Sequence, residues 1–446
     1  MTDIVFLTVD SLRADHVGWH GYSRDTTPFL DSVSKRAHTF TEAFTNGCYT
    51  RQAFPSMMTS VYPSVAREDG GLAANNTTLA EALSERGYTT AGFHSNPYLG
   101  PEFGYDRGFD TFYDSKSEPT KMGKLRLWVK ENIPKESWIY KTLEKLFAKS
   151  QEQAGIDPGT PSLPADEITD KAIQWVKTVP DRPRFLWVHY MDVHHPYTPP
   201  EKHQYTFRKE KISRQRAVKL QRKMLDQPDD ITRDELSDLI DLYDAEIRFC
   251  DAEIKRLIDN IETHWGDDFV IGFTSDHGEE FRDHGGFSHS GTLHDELLHV
   301  PLLLADETVG ERHDEIVSLL DIPPTFIDYT DEDIPIEFEG ESLRSLITGG
   351  QRDRSYTIGD HGETISYRDK SWKYITGTER SELYCIDEDS KEQTNVVDQN
   401  PAIVEEIEQT LTQHRELGRR TESEINKEEL EGEVQNRLEK LGYLDE

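Results

Sequence analysis

The sequence predicts an α/β protein with a doubly wound, mostly parallel sheet flanked by helices, and a small C-terminal antiparallel sheet. Three observations predict it. Short apolar strand patterns alternate with helical patterns along most of the chain. Acidic residues recur where strand patterns end, as at Asp10 and Asp276, and sheets of this kind place their ligands at the carboxyl ends of the strands. Near residue 330 the pattern changes to hairpin strands with a polar turn.

Each element has its own signal. Pro28 predicts the first turn of a helix, and Gly87 predicts the end of another. Apolar and β-branched runs predict strands, and amphipathic periodicity predicts helices. Strands are expected at 4–9, 88–94, 185–191, 269–275, 365–375 and 382–387, and helices at 27–33, 79–87, 165–179 and 239–263, with charged helix from about 401.

These patterns divide the chain into three parts. Residues 1–330 form the large α/β domain, with basic helical insertions near 118–160 and 203–230. Residues 331–400 form the small subdomain with the antiparallel sheet, and residues 401–446 form a charged helical tail.

Composition excludes some classes of protein. The 446 residues include 50 Lys and Arg against 85 Asp and Glu, a formal net charge of −35, which argues against general nucleic-acid binding. A strongly acidic, hydrated surface is typical of proteins from salt-loving organisms. The three cysteines are too few and too scattered for a disulfide framework. The sequence shows neither a secretory signal nor a run long enough to span a bilayer, so we expect a cytoplasmic protein.

Two basic segments interrupt this acidic chain. Residues 121–149 carry eight Lys or Arg against three acids, and residues 208–223 carry eight against the single acid Glu210. One interpretation is an anion-binding rim for a polyanionic glycan, or a peripheral contact with membrane headgroups. The alternative is that these are solvated helix faces that balance acids elsewhere.

Candidate ligands stand at the ends of predicted elements. Asp276 and His277 follow the apolar run 269–275, and a carboxylate beside an imidazole suits a divalent metal. A turn capped by Asp276, with His277 at the surface, is the alternative. Asp10 ends the first strand, and Thr50 opens a helix whose N-terminus favours an anionic ester.

Together these residues indicate ester chemistry. Asp10, Thr50, Asp276 and His277 could hold one divalent ion (Mn, Zn, Ca or Mg) that polarises a phosphoryl or sulfuryl oxygen. An unactivated threonine is a poor nucleophile, so this chemistry needs the metal. Further out, histidines could stabilise charge on the transferred group or protonate the leaving oxygen. Those candidates are His194 and His289, with Arg51 as an additional substrate-binding residue.

Several short stretches together match one known family in order along most of the chain. They are 5–15, 27–31, 59–63, 87–90, 109–112, 191–197, 243–247, 275–279 (Ser-Asp-His-Gly-Glu), 286–289, 300–303 and 382–384. In these stretches the chain resembles the sulfatase family of the alkaline-phosphatase superfamily, which implies an alkaline-phosphatase-like fold. The resemblance implies that Asp10, Asp276 and His277 bind the cation, that His194 contacts the sulfate or phosphate, and that His289 contacts the ester oxygen.

Departures from the family pattern are informative. Sulfatases that use formylglycine carry Cys-x-Pro-x-Arg, or Ser in place of Cys, but here the nucleophile slot falls on Thr50, followed by Gln52 and Phe54. Cys48 lies two residues early, and we interpret it as a small, partly buried residue. Position 11, a second acidic ligand in many sulfatases, is Ser11. Residues 92–94 lack the family's substrate-contacting lysine. We expect a haloarchaeal-type member with Thr in the nucleophile slot.

The predicted function is metal-dependent hydrolysis of a sulfate ester, with an anionic substrate that is glycan-like or lipid-linked. The alternative is a phosphodiester or phosphonate hydrolase, or a phosphoglycerol or phosphoethanolamine transferase. A non-catalytic glycan-binding homologue is a second alternative. Phosphomutase chemistry would require a second cluster of metal ligands, for which the spare candidates are Asp192, His195, His284 and His294.

Overall fold

A computed structural model describes residues 2–68, 70–114, 163–289, 291–378 and 380–422. The basic segment 121–149 and the whole of the expected insertion 118–160 lie outside these residues. The strands are β1 (Asp3–Val9), β2 (His38–Phe44), β3 (Arg67–Glu68), β4 (Gly71–Leu72), β5 (Thr89–Phe93), β6 (Thr111–Tyr113), β7 (Arg184–Tyr190), β8 (Phe269–Ser275), β9 (Glu280–Phe281), β10 (Phe287–Ser288), β11 (Leu302–Ala305), β12 (Arg312–Ser318), β13 (Thr357–His361), β14 (Thr364–Arg368), β15 (Trp372–Thr376) and β16 (Ser381–Cys385).

The central sheet has eight strands in the order β12-β2-β11-β8-β1-β7-β5-β6. Within it, β11 runs antiparallel to both its neighbours, and the other pairs are parallel. The predicted doubly wound, mostly parallel sheet is therefore confirmed. Val9 at the end of β1 pairs in register with Tyr190 of β7 and Ser275 of β8. The loops that follow these three central strands therefore begin at one point on the same edge.

Helices cover both faces of this sheet. They are α1 (Pro28–Ser34), α2 (Thr50–Thr59), α3 (Pro63–Ala66), α4 (Leu79–Glu85), α5 (Ala165–Val176), α6 (Glu201–Phe207), α7 (Arg214–Asp226), α8 (Arg233–Trp265), α9 (Asp295–Leu298), α10 (Ile322–Asp328), α11 (Arg344–Ile347) and α12 (Pro401–Glu422).

The side chains of β1 alternate between two hydrophobic cores, one on each face of the central sheet. Val5 and Leu7 pack on the face that α8 covers, and Ile4 and Phe6 pack on the opposite face with α2 and α4. All four side chains are fully buried. A strand buried on both faces reads as a continuous apolar run, which is why the sequence predicts it clearly.

The long helix α8 begins six residues earlier than the predicted 239–263. Thr232 and Glu235 form a capping box, in which each side chain accepts a hydrogen bond from the other's backbone N–H. This cap satisfies N–H groups that would otherwise lack partners, so the helix extends to Arg233.

The C-terminal part contains the expected antiparallel sheet, with strands in the order β13-β14-β15-β16. Its apolar face packs with α12 against residues of the large domain, including Tyr62 and Leu320. Polar contacts add to this seam, because buried Lys373 of β15 donates to Asp295 of α9 at 2.7 Å.

The second basic segment, 208–223, forms α7 and the turn before it. Arg208 and Arg216 form ion pairs with Asp238 of α8, and Lys223 pairs with Glu235. For these three side chains the contacts favour the second interpretation, in which the basic residues balance nearby acids. Contact of this segment with a membrane stays a prediction. Among the described residues, none of the helices combines the length and apolar content needed to cross a bilayer.

Candidate active site

Two carboxylates meet at the carboxyl edge of the central sheet. Asp10 follows β1 and Asp276 follows the neighbouring strand β8, and both are fully buried. The backbone N–H of Ser11 donates to Asp276 Oδ1 at 3.1 Å, and the Ser11 hydroxyl donates to Asp10 Oδ1 at 2.8 Å. Ser11, at a position where many sulfatases carry an acid, thus orients both carboxylates instead of adding a third.

Thr50 reaches this pair from the N-terminus of α2. Its hydroxyl donates to Asp10 Oδ2 at 3.3 Å, and its side chain is largely buried. Arg51, the next residue, is half-buried and lies with its guanidinium carbon 5.5 Å from the centroid of the Tyr98 ring. The predicted nucleophile therefore lies inside the site, and the predicted substrate contact Arg51 stacks beside it.

His277 completes a set of three possible metal ligands. Its Nε2 lies 3.7 Å from Asp10 Oδ1 and 3.5 Å from Asp276 Oδ2. Its Nδ1 lies 2.8 Å from the carbonyl oxygen of Gly278, which can only accept, so the proton belongs on Nδ1 and Nε2 keeps its lone pair. Burial lowers the pKa of His277, which also favours the neutral ring.

These residues fit a divalent cation. Among the described residues, neither Asp276 Oδ2 nor His277 Nε2 has a hydrogen-bond partner, although both are buried. One ligand atom from each of Asp10, Asp276 and His277 lies within 4.8 Å of the others. Buried polar atoms without partners are costly, and two oxygens with one nitrogen form a plausible donor set for a divalent ion.

The pKa values of the two carboxylates are shifted in opposite directions. Burial alone would raise the pKa of Asp10, but nearby imidazoles, foremost that of His194, outweigh it and hold that pKa well below its usual range. Burial, followed by the negative charge of Asp10, raises the pKa of Asp276 to about 8. A bound cation would favour the charged form of both groups.

Three histidines line the same site. His194 and His289, both predicted from sequence, lie with ring centroids 5.1 Å apart. The His195 ring lies 4.4 Å from the His194 ring and 5.8 Å from the His289 ring. The His289 ring is 4.8 Å from that of His277, so His194, His277 and His289, the three imidazoles predicted for this site, lie close together.

Sequence reasoning missed Asn96, which follows β5. Its Oδ1 accepts a hydrogen bond from the backbone N–H of Tyr98 at 2.9 Å, and this contact fixes which end of the amide faces the site. Its Nδ2 donates to Asp10 Oδ2 at 3.0 Å and lies 3.5 Å from Thr50 Oγ1. The position just beyond a strand end is the one signal that could have identified it.

Sequence reasoning also missed His189, which lies within β7. The Trp187 indole donates to Thr8 Oγ1 at 3.1 Å, and Thr8 Oγ1 lies 3.0 Å from His189 Nδ1. His189 Nε2 faces Asp10 Oδ2 at 3.4 Å. No pattern in the sequence distinguishes this strand residue from its neighbours.

Cys48 lies beside the site but is completely buried. Its Sγ is 3.6 Å from Gln52 Oε1, and burial raises the pKa of its thiol to about 12. A buried thiol with a raised pKa is inert. The sequence-based interpretation was a small, partly buried residue, and the structure buries Cys48 completely.

The spare candidates for a second cluster fall in three places. His195 joins the site described above. Asp192 Oδ1 accepts from the backbone of Ala165 at 3.0 Å. His284 and His294 stack on each other with ring centroids 3.6 Å apart, and His284 Nδ1 lies 2.6 Å from Glu296 Oε1. These two histidines lie at the seam with the C-terminal sheet, and the ion pair and ring stacking account for their placement.

Comparisons with known proteins agree with this fold and site. The sequence profile of the family described as Sulfatase matches residues 2–332. The arylsulfatase of Clostridium perfringens is 23% identical over 444 residues, which is 89% of this chain and 90% of that protein.

Solved structures share the fold at low identity. The phosphonate monoester hydrolase of Agrobacterium radiobacter has a TM-score of 0.71 at 20% identity, with 94% of this chain and 96% of that chain covered. An enzyme solved with its substrate D-glucosamine-2-N,6-O-disulfate has a TM-score of 0.72 at 15% identity, with 96% and 99% covered.

The fold is that of these structural neighbours, and carboxylates at the strand ends with imidazoles beside them suit an enzyme that acts on an anionic ester. The profile match covers well over half of the sequence, and the chain belongs to the sulfatase family. Members of this family use a divalent metal.

Proposed function

We propose that this protein hydrolyses a sulfate ester at a single divalent-metal site, with Thr50 as the nucleophile. The observation that carries the proposal is the contact between the Thr50 hydroxyl and Asp10 Oδ2. It is made beside Asp276 Oδ2 and His277 Nε2, which are buried and have no hydrogen-bond partner among the described residues. A hydroxyl at a helix N-terminus also faces backbone N–H groups and a positive dipole end, both of which attract an anionic ester.

Asp10, Asp276 and His277 would hold the cation, with Thr50 beside it. When bound, the cation would polarise the ester oxygen and lower the pKa of the Thr50 hydroxyl. Its identity among Mn, Zn, Ca and Mg stays open. The nitrogen donor His277 favours a transition metal over Mg or Ca.

In the proposed reaction, Thr50 Oγ1 forms a bond to sulfur while the bond between sulfur and the leaving oxygen breaks. The Thr50 proton passes to Asp10 Oδ2, the acceptor that it already contacts. His194 and His289 donate hydrogen bonds to the non-bridging oxygens, and one of them protonates the leaving alcohol. Water then hydrolyses the Thr50 ester.

Asn96 has a place in this reaction. Tyr98 holds its carbonyl oxygen, so its NH₂ group faces the space beside Thr50. Because the family's lysine is absent from residues 92–94, we propose that Asn96 supplies a neutral donor to a non-bridging oxygen.

The same site supports a second candidate, hydrolysis of a phosphodiester or phosphonate ester, or group transfer of the phosphoglycerol or phosphoethanolamine type. One observation favours it. A threonine stands in the nucleophile slot, where sulfatases that use formylglycine carry Cys or Ser. A phosphonate monoester hydrolase is among the proteins that share the fold.

The natural substrate is proposed to be an anionic glycan or a lipid-linked ester. The disulfated glucosamine bound by one structural neighbour supports the glycan. A glycan-binding homologue without activity is the remaining alternative, and turnover of any ester would exclude it.

A turnover panel tests the proposal. Purified protein in high salt would be given an aryl sulfate, an aryl phosphodiester and an aryl phosphonate monoester, each with Mn²⁺, Zn²⁺, Ca²⁺, Mg²⁺ or a chelator. We expect metal-dependent sulfate turnover that is lost in Thr50→Ala and kept in Thr59→Ala. Thr59 is a matched control because its hydroxyl binds Pro55 O at the other end of α2. Turnover of phospho-esters alone would select the second candidate.

A further inference from the structure

The edge strand of the C-terminal sheet lies against the loop that leads into α2. The backbone N–H of Asp360, in β13, donates to the carbonyl oxygen of Asn46 at 2.9 Å. The fully buried Asn46 side chain returns the contact, because its Nδ2 donates to the carbonyl oxygen of Ile358 at 2.8 Å. Asn46 precedes Thr50 by four residues. These two hydrogen bonds therefore fix β13 beside the segment that carries the proposed nucleophile.

His361, the last residue of β13, reaches α2 itself. Its Nδ1 lies 3.0 Å from Gln52 Nε2, and its ring packs edge-on against that of Tyr49 with centroids 5.5 Å apart. Gln52 Oε1 faces the thiol of Cys48, so the NH₂ group is the end of the amide that donates to His361. Burial lowers the pKa of His361, which keeps the ring neutral and Nδ1 able to accept. Since Tyr49 and Gln52 flank Thr50 in the sequence, these contacts hold the turn that carries it.

The other side of the same ring meets the chain just beyond His289. A Cβ atom placed on Gly291 would lie 2.8 Å from His361 Nε2, closer than real Cβ atoms approach other atoms. Gly291 also has a φ of +89°, a conformation that favours glycine. It follows His289, a proposed contact for the ester, by two residues. The imidazole of His361 is therefore packed directly against the chain that carries His289.

From these contacts we infer that His361 is a positioning residue that fixes Thr50 and His289 relative to each other. The inference rests on the proposed function, since both groups act in the proposed reaction. It also goes beyond that function, because it gives the C-terminal sheet a part in catalysis through a residue outside the proposed ester and cation contacts. A displacement of about 1 Å in a reacting group can lower the rate about 10²-fold, so a support of this kind matters to turnover.

The first test compares His361→Ala with His361→Asn by steady-state kinetics on the best ester of the panel. The Asn carboxamide can place an oxygen near the position of Nδ1, and so can keep the hydrogen bond from Gln52 that alanine loses. We expect kcat to fall roughly 10–100-fold in His361→Ala with little change in KM, and to recover for the most part in His361→Asn. An unchanged kcat in His361→Ala, or equal losses in both variants, would overturn the inference.

Coupling between His361 and Gly291 is the second test. Gly291→Ala should lower kcat, because the new methyl group collides with the imidazole, and adding His361→Ala should restore part of this loss. Gly285→Ala is the matched control, because Gly285 has a similar φ of +97° and no described atom lies within 4 Å of its Cβ position. Its effect should simply multiply with that of His361→Ala. Effects that multiply in both pairs would overturn the inference.

Crystal structures of the wild type and of His361→Ala give a readout that does not depend on turnover. We expect Thr50 Oγ1 or the His289 ring to shift relative to Asp10 by on the order of 1 Å in the variant. Gly291→Ala serves for the same comparison if His361→Ala fails to fold. A shift in a protein that turns over no ester would contradict the proposed function and leave the role of His361 standing. Unchanged positions of both groups would overturn that role.

Discussion

Asn96 and Thr50 share one acceptor, since Asn96 Nδ2 lies 3.0 Å and Thr50 Oγ1 lies 3.3 Å from Asp10 Oδ2. The loop after β5 and the first turn of α2 are thereby joined at a single carboxylate oxygen. This relationship places a neutral amide donor beside the proposed nucleophile, at a distance of 3.5 Å.

If Asn96 donates to a non-bridging oxygen in the transition state, its removal should lower kcat more than it raises KM. We expect Asn96→Ala to lose roughly 10²–10³-fold in kcat, the usual effect of removing one such donor. Steady-state kinetics on the best ester of the panel would measure this. Asn260→Ala, on α8, is the control, because the Asn260 side chain donates to Arg256 O in the same helix, away from the site. An unchanged kcat would exclude the role.

Cys48 should not contribute to catalysis, because its thiol is fully buried and burial raises its pKa to about 12. We expect Cys48→Ala to keep its kcat. Mass spectrometry of the wild type should show the peptide that contains Cys48 with an unmodified thiol. Formylglycine at position 48, or loss of turnover with an unchanged melting temperature, would assign the nucleophile to Cys48 instead.

The ion pair of His284 and Glu296 should make stability depend on pH. Burial alone would lower the pKa of His284, but the hydrogen bond and the charge of Glu296 outweigh burial and raise it to about 9. Since the unfolded pKa is about 6.5, the pair should stabilise the fold fully below pH 6.5 and lose this effect as the pH rises through 9.

The measurement is the melting temperature of wild type and Glu296→Gln between pH 6 and 10. We expect the variant to melt lower at pH 6, and the difference to shrink towards pH 10. A difference that is constant across this range would show that Glu296 acts through packing and not through the charge of His284.

Asp295 should be the main electrostatic support of the seam with the C-terminal sheet. It contacts Lys373 Nζ at 2.7 Å and Arg368 Nε at 3.1 Å, and the Lys373 side chain is fully buried. Removing one partner of a buried pair leaves a charge uncompensated, so Asp295→Asn should lower the free energy of unfolding by about 3 kcal/mol.

Denaturant unfolding would measure this loss, with Asp259→Asn as the control. Asp259 pairs with Lys255 on the exposed face of α8, where such a pair contributes less than about 1 kcal/mol. Equal effects of the two substitutions would show that burial does not strengthen the Asp295 contacts.

The sequence predicted the sheet well because apolar runs such as residues 4–9 and 269–275 are distinctive when a strand is buried on both faces. It also predicted that Asp10 and Asp276 would meet, because parallel strands end at the same edge. The register of Val9 with Ser275 places them side by side.

The sequence could not identify Asn96 or His189, for a physical reason in each case. Asn96 is oriented by a local contact with Tyr98 N, and His189 is one residue within an apolar strand. The salt-loving source, the haloarchaeal type, the domain limits at 330 and 400, and the cytoplasmic location stay predictions from composition and pattern.

The most direct measurement is the mass of the protein quenched during turnover. Acid quenching with the best ester and metal of the panel, followed by peptide mass spectrometry, should show one sulfuryl or phosphoryl group on Thr50. The adduct should be absent from Thr50→Ala, which should also lack turnover. An adduct on another residue, or turnover by Thr50→Ala at the wild-type rate, would contradict Thr50 as the nucleophile.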